Sequence, residues 1–222
     1  MNRRFTPTPG RRAPHGVLCS RLRPGPAGGV EWGGGAVDPT THTYVVNSSS
    51  VVQIYRLLTR KDYQTATRES TPAGYYPMTG APYGMYLTNF VNWLGMPCWK
   101  PPYGTLSSYD LDTGKLLWKE PFGQVQQWGF YMPTSWGSVA IGGPVITKSG
   151  LIFIGASMDS RVRALDLKTG KLLWQAQVDA PAVAMPAIYT YNGKEYVLFV
   201  AGGNSILEPK VGDQLVAYAL PD

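Results

Sequence analysis

Cysteine and histidine are nearly absent from this chain of 222 residues: Cys19, Cys98, His15 and His42 are the full set. Two thiols define no disulfide framework, so one disulfide and two separate thiols both stay open. Neither histidine has an acidic or thiol partner at ligand spacing, and no metal site is predicted. No apolar run approaches the roughly 18 residues of a membrane-spanning helix. The apolar stretch of about 7 to 15 residues that a secretion signal places after its arginines is missing as well. Gly33-Gly34-Gly35 lacks the following Lys-Ser/Thr and helix of a phosphate loop. No catalytic triad is found.

Charge is unevenly distributed. The formal net charge is +6, yet Arg3, Arg4, Arg11, Arg12, Arg21 and Arg23 all precede Pro24, where no acid occurs. Without those six, fourteen basic residues face fourteen acids. With no basic stripe or recognition helix in that balanced body, nucleic acid is not the expected partner. A hydrophobic content of 44% with 12% aromatic residues is enough for a packed core.

The stretch from Gly142 to Trp174 organises the rest. GGPVIT, LIFIGAS, RVRALD and KLLW are apolar or alternating runs, separated by turn signals at Lys148-Ser149-Gly150, Met158-Asp159-Ser160 and Lys168-Thr169-Gly170. This is the pattern of a four-stranded antiparallel meander, one blade of a β-propeller. Its second half recurs upstream, where Tyr109 to Trp118 matches Leu165 to Trp174 almost position by position. In each copy Thr-Gly turns the chain between the third and fourth strands, and the tryptophan supplies a large apolar anchor.

Residues 1–26 are rich in Pro, Gly and Arg without strand or helix period, and are expected to be an irregular leader outside the fold. From residue 27 a strand, a Thr40-Thr41 turn and a second strand at Thr43 to Val46 begin a blade. The pattern breaks at about 53–102, an insertion with polar, basic and aromatic character. Gly104 to Tyr109 and Lys115 to Trp118 complete that blade. A second aromatic loop, Gln124 to Ser138, leads into the blade at Gly142. Met185 to Thr190, Glu195 to Val200 and Gln214 to Ala219 provide three strands of a further blade. The expected fold is therefore all-β, a partial propeller of about three blades, with uncovered sheet edges that predict self-association of the isolated chain.

Four stretches, PGPAGGVEWGGGAVDP, APYGMYLTNFVNWLGMPC, the blade from Gly142 to Trp174, and EYVLFVAGGN with GDQLVAYALPD, carry a resemblance. The chain resembles the C-terminal portion of the membrane-bound quinoprotein dehydrogenases of the glucose, quinate and shikimate type. The resemblance implies an eight-bladed propeller at the periplasmic face of the bacterial inner membrane, with pyrroloquinoline quinone (PQQ) and calcium near its axis. It also implies a sugar, polyol or cyclic hydroxy acid as substrate, and ubiquinone reached through a membrane region. The family's catalytic aspartate, its cation ligands and the tryptophan that stacks on the cofactor have no counterpart here, so the chain is expected to be inactive alone. A non-catalytic propeller scaffold for protein interaction is the alternative, and a truncated or frameshifted remnant is a third reading.

Five residues carry over from the resemblance as site candidates. Trp32 stands where related proteins place an aromatic against the cofactor, the plainer reading being a core tryptophan. Gly142 and Gly143 take the corresponding place one blade later, as a backbone cradle for the cofactor edge or a simple strand entry. Asp159 matches an acidic turn position on the substrate side, with a self-capping turn as its plain role. Asn204 follows Ala201-Gly202-Gly203 where glucose dehydrogenases carry His. It is the second substrate-side candidate, able to hydrogen-bond a polyol but not to titrate near neutrality.

Overall fold

A computed structural model describes residues 18–25, 27–65, 74–204 and 210–220, with side chains from Arg21 onward. In chain order the strands are β1 (Leu18–Leu22), β2 (Gly35–Asp38), β3 (Thr43–Ser49) and β4 (Gln53–Thr59), then helix α1 (Arg60–Thr65). Next come β5 (Gly74–Tyr76), β6 (Tyr83–Asn89), β7 (Gly104–Asp110), β8 (Leu116–Pro121), β9 (Gln126–Gln127) and β10 (Phe130–Tyr131). The remainder are β11 (Val145–Ile146), β12 (Leu151–Ile154), β13 (Arg161–Asp166), β14 (Leu172–Gln177), β15 (Ala187–Tyr191), β16 (Lys194–Ala201) and β17 (Gln214–Ala219). The chain folds as two compact units, one of Met1–Pro26 with Val52–Trp99 and one of Ala27–Val51 with Lys100–Asp222.

The larger unit is built of antiparallel meanders. Its sheets run β2-β3-β7-β8, β11-β12-β13-β14 and β15-β16-β17, besides the small β9-β10 hairpin. The fold class expected from the repeats is the one found, although the first strand of the Gly142 blade is only Val145–Ile146. Sheets facing one another at about 10 Å bury both faces of their middle strands. Accordingly β13 is buried through Val162, Arg163, Ala164 and Leu165, while the outer strand β14 is mostly exposed. One core cluster joins Val45 and Leu106 of the first sheet to Ile152, Ile154 and Leu165 of the second, with Trp118 packed against it. Another joins Val162 to Val197 and Phe199 of the third sheet.

The repeated turns are near copies. Asp110 and Asp166 each accept a hydrogen bond from the backbone N–H three residues on, of Thr113 and Thr169, both at 2.8 Å. Gly114 and Gly170 sit at φ 67° and 69°, conformations that a side chain disfavours. Trp118 then reaches the next sheet: its indole N–H donates to the Leu167 carbonyl at 2.9 Å, and its ring covers Gly170, where a Cβ would stand 2.7 Å from a ring carbon.

The smaller unit is a sheet in the order β1-β4-β6-β5 with α1 beside it. This corrects the leader expected to be irregular through residue 26, because Leu18–Leu22 pairs antiparallel with β4. Positions 1–17 lie outside the described residues. The Arg60 guanidinium donates to the carbonyls of Pro77 and Tyr83 at 2.7 and 3.1 Å, and also to that of Ala81, holding the turn before β6.

Candidate functional site at one end of the sheets

A meander alternates its connections between two ends, and in the larger unit those ends differ. Tight hairpins close one end, at β2–β3, β7–β8, β11–β12, β13–β14 and β15–β16. At the other end lie the longer connections, including residues 122–144, 155–160, 178–186 and 202–213. All five candidates fall at this second end.

There the backbones of successive sheets meet through glycine. A Cβ on Gly33 would lie 2.4 Å from the Gly142 carbonyl carbon and the Gly143 nitrogen. One on Gly142 would lie 2.6 Å from the Val183 carbonyl oxygen, and one on Gly143 only 2.1 Å from the Gly33 oxygen. The space left by the absent side chains is thus filled by protein backbone, as a simple strand entry at Gly142 and Gly143 requires. Asn47 and Ser49 tie the same region together, donating to the Ala140 carbonyl at 3.0 and 3.2 Å.

Trp32 adjoins this contact through Gly33, and its side chain is 68% exposed. Beside it, Glu31 holds one carboxylate oxygen, Oε1, buried and without a hydrogen-bond partner among the described residues. Desolvation raises the Glu31 pKa above the usual carboxylate range. Sequence reading passed over Glu31, since an acid beside an aromatic has no distinctive spacing. A buried oxygen without a partner is visible only in three dimensions.

Asp159 caps its own turn, the plain role expected of it, and is also paired within the fold. Its side chain is fully buried and paired with Arg163. Oδ1 accepts from Ser157 Oγ at 2.7 Å, the Arg161 N–H at 3.2 Å and Arg163 at 3.2 Å, while Oδ2 accepts from the other guanidinium nitrogen. A buried charge needs such partners, and removing one strands the other. Asp159 therefore braces the 155–160 connection. The guanidinium of Arg163 also lies 5.3 Å over the Phe122 ring, linking the brace to the preceding sheet.

Asn204 is half-buried at the end of a loop pinned by the Gly203 N–H, which donates to the Pro181 carbonyl at 2.9 Å. The structure thus gathers Glu31, Trp32 and the three glycines, and places Asp159 and Asn204 on neighbouring connections. Among the described residues, no three or more His, Cys, Asp and Glu side chains cluster closely enough to hold a metal ion. A cleft of about 510 Å³ lies elsewhere, on the flank between β8 and the β13–β14 hairpin, lined by Glu120, Gln124, Arg161 and Lys171 among others.

Successive antiparallel meanders, with an indole docked on the turn of the next sheet, are the blades of a partial β-propeller. The sequence profile of the glucose/ethanol/alcohol dehydrogenase β-propeller domain, the PQQ family, matches residues 2–197, and the chain belongs to that family. It is 38% identical over 205 residues to quinoprotein glucose dehydrogenase A of Acinetobacter calcoaceticus, covering 90% of this chain and 26% of the relative. It is 37% identical over 219 residues to a probable quinate dehydrogenase (quinone) of Xanthomonas campestris pv. juglandis, covering 93% and 28%. The glycerol dehydrogenase large subunit of Gluconobacter thailandicus is 37% identical over 217 residues, covering 90% and 29%. The chain therefore spans between a quarter and a third of the length of these relatives. Among solved structures, quinohemoprotein alcohol dehydrogenase from Comamonas testosteroni matches 83% of this chain and 24% of its own, at 22% identity and a TM-score of 0.54, a likeness of fold.

Proposed function

We propose that these sheets are part of the propeller of a PQQ-dependent dehydrogenase. The reaction is oxidation of a hydroxyl group on a sugar, polyol or cyclic hydroxy acid, with ubiquinone as electron acceptor, at the periplasmic face of the inner membrane. Relatives named for glucose, glycerol and quinate support this substrate class, since all three are hydroxylated carbon compounds. The observation that carries the reading is Trp32, a large aromatic side chain left exposed at the end of the sheets where the long connections gather.

The quinone, when bound, supplies the carbonyl that accepts hydride. Trp32 offers an apolar aromatic contact to the cofactor and sheds water from it. Gly33, Gly142 and Gly143 hold that tryptophan in place by backbone contact. Asn204 donates and accepts hydrogen bonds to a hydroxyl without exchanging its own proton, so it orients a substrate. The general base and cation ligands implied by the resemblance are not among the residues of this chain, and the chain alone is proposed to be inactive.

Titration of the purified chain with PQQ and calcium, followed by absorbance, tests the cofactor role. Trp32→Ala is expected to weaken binding about tenfold, the scale of one aromatic contact. Unchanged binding would remove Trp32 from the site. Reduction of a dye at the expense of glucose or quinate by the isolated chain would overturn the proposed inactivity.

A further inference from the structure

Independently of the cofactor reading, we infer that the cleft on the flank of the larger unit, between β8 and the β13–β14 hairpin, binds a small polyhydroxylated monocarboxylate of the sugar-acid kind. Its volume of about 510 Å³ falls in the range of about 300–1,000 Å³ that small-molecule sites occupy. All of its lining residues belong to the larger unit.

The first observation is an arginine held in place with donors to spare. Arg161 opens β13 and lines the cleft. Its Nε–H donates to Gln177 Oε1 at 3.4 Å and its Nη1 to Gln124 Oε1 at 3.0 Å, while the guanidinium carbon lies 4.4 Å from the centroid of the Tyr131 ring. Gln124 is itself fixed, because its Nε2 donates to the Met132 carbonyl at 2.7 Å and so turns Oε1 toward the guanidinium. Two of the five N–H donors that any guanidinium carries are thereby used, and the rest stay available. A side chain already ordered loses little further freedom on binding, and a planar guanidinium edge matches a carboxylate.

The second observation is the charge balance. Arg163 also borders the cleft, but Asp159 neutralises it. Among the described residues, Arg161 and Lys171 form no ion pair with a carboxylate, and Glu120 forms none with a cation. Two uncompensated cations and one anion suit a ligand with a single negative charge, and Glu120 repels the second charge of a phosphate. The pairings of Arg161 with Gln177 and of Leu165 with Leu172 set Arg161 and Lys171 at opposite ends of the hairpin. Lys171 therefore adds to the attracting potential without sharing the carboxylate. The walls account for the hydroxyl groups. Exposed Gln175 and Glu120 line the cleft with side-chain polar atoms that no other described residue engages, and these can hydrogen-bond a polyol. Exposed Pro121 and Leu172 offer apolar surface to the C–H face of a sugar ring. A plain aliphatic acid would leave the polar walls unmatched.

Saturation-transfer NMR observed on the ligand tests this with the full chain, since it reads binding whether the chain is monomeric or self-associated. Glucuronate is expected to give a saturable signal. Glucose, which has a hydroxymethyl group in place of the carboxylate, and cyclohexanecarboxylate, which keeps ring and charge but no hydroxyls, are each expected to bind about tenfold more weakly. Inorganic phosphate is expected not to displace glucuronate at equal concentration. Arg161→Gln should weaken glucuronate binding about tenfold and Gln175→Ala about threefold. Gln175 is exposed on the outer strand, so its variant keeps the test open where Arg161→Gln disturbs the β9–β10 hairpin. The inference is overturned if glucuronate gives no saturable signal, or if glucose, cyclohexanecarboxylate or phosphate binds as well as it does. It is overturned as well if either variant binds glucuronate like the parent.

Discussion

Trp118 and Trp174 end the two copies of one repeat, yet they meet different neighbours. Trp118 docks on the second copy, over Gly170 and under a hydrogen bond to the Leu167 carbonyl. Trp174 finds no Thr-Gly turn on the sheet beyond it, and lies edge-on to Tyr218 with centroids 4.8 Å apart, 37% exposed. The same local sequence therefore yields a hydrogen-bonded dock in one place and an aromatic edge contact in the other. What the anchor contributes is decided by the sheet that receives it.

Substitutions can break this contrast in order of size. Trp118→Ala removes a ring packed against the main core cluster and should lower unfolding free energy by about 3 kcal/mol, measured by urea denaturation. Gly170→Ala leaves the indole in place but pushes a Cβ into it at positive φ, with an expected loss of about 2 kcal/mol. Combined, the two should cost clearly less than their sum, because they remove one contact. Additivity would mean that Trp118 and Gly170 act separately. Trp174→Ala should cost only about 1 kcal/mol, the worth of a half-exposed aromatic pair. A loss equal to that of Trp118→Ala would erase the distinction between the two anchors.

The turns sharpen the contrast through pH. Both Asp110 and Asp166 are held below the ordinary carboxyl range, Asp110 chiefly by the Thr113 backbone N–H and Asp166 chiefly by the Thr169 hydroxyl. Since the folded pKa lies below the unfolded one, each contribution is full above the unfolded value and is lost as pH falls through the folded value. Thr169→Val should therefore raise the Asp166 pKa more than Thr113→Val raises that of Asp110, whose main donor survives the substitution. Carboxyl titration by NMR reads both, and equal shifts would contradict the assignment.

The smallest effect belongs to a contact found in only one turn. Asp112 pairs with His42 at 2.9 Å, while the second repeat has Lys168 at the matching position. The Asp112 carboxylate raises the His42 pKa. The sign is opposite to that of the carboxyls: the contribution is full below the ordinary imidazole value and disappears as pH rises through the folded one. His42→Asn, a residue tolerant of the local φ of 50°, should lower the melting temperature slightly below the ordinary imidazole range and leave it unchanged once the pH has passed the raised folded value.

Much of the fold was legible in the sequence. Thr-Gly turns, alternating runs and the repeated tryptophan are local signals, and each fell on a hairpin or strand of the larger unit. The smaller unit was not legible in the same way. Its β1 pairs with β4 across more than thirty residues, and neither strand carries a run that stands out from its polar, arginine-bearing surroundings. The candidate site was read in part. Trp32 was placed by resemblance, and its exposure could be read only from the folded chain. Gly142 and Gly143 were read as room for a cofactor or as a simple strand entry, because a missing side chain announces space without naming its occupant. Asp159 was read as a turn acid, since its partner Arg163 sits four residues away on a strand where alternation alone does not assign it a buried role.

The amino-acid sequence by itself determined where this chain turns, which runs extend as strands and that one unit repeats, because these depend on φ preferences and periodicity within a few residues. Only the tertiary structure decided which tryptophan docks on a glycine, which glycines admit a neighbouring backbone, and that Asp159 is enclosed with Arg163. It also left Trp32 and Trp93 facing outward. Those outcomes depend on which surfaces are brought within a few ångströms of one another, a property of packed sheets that no local stretch encodes.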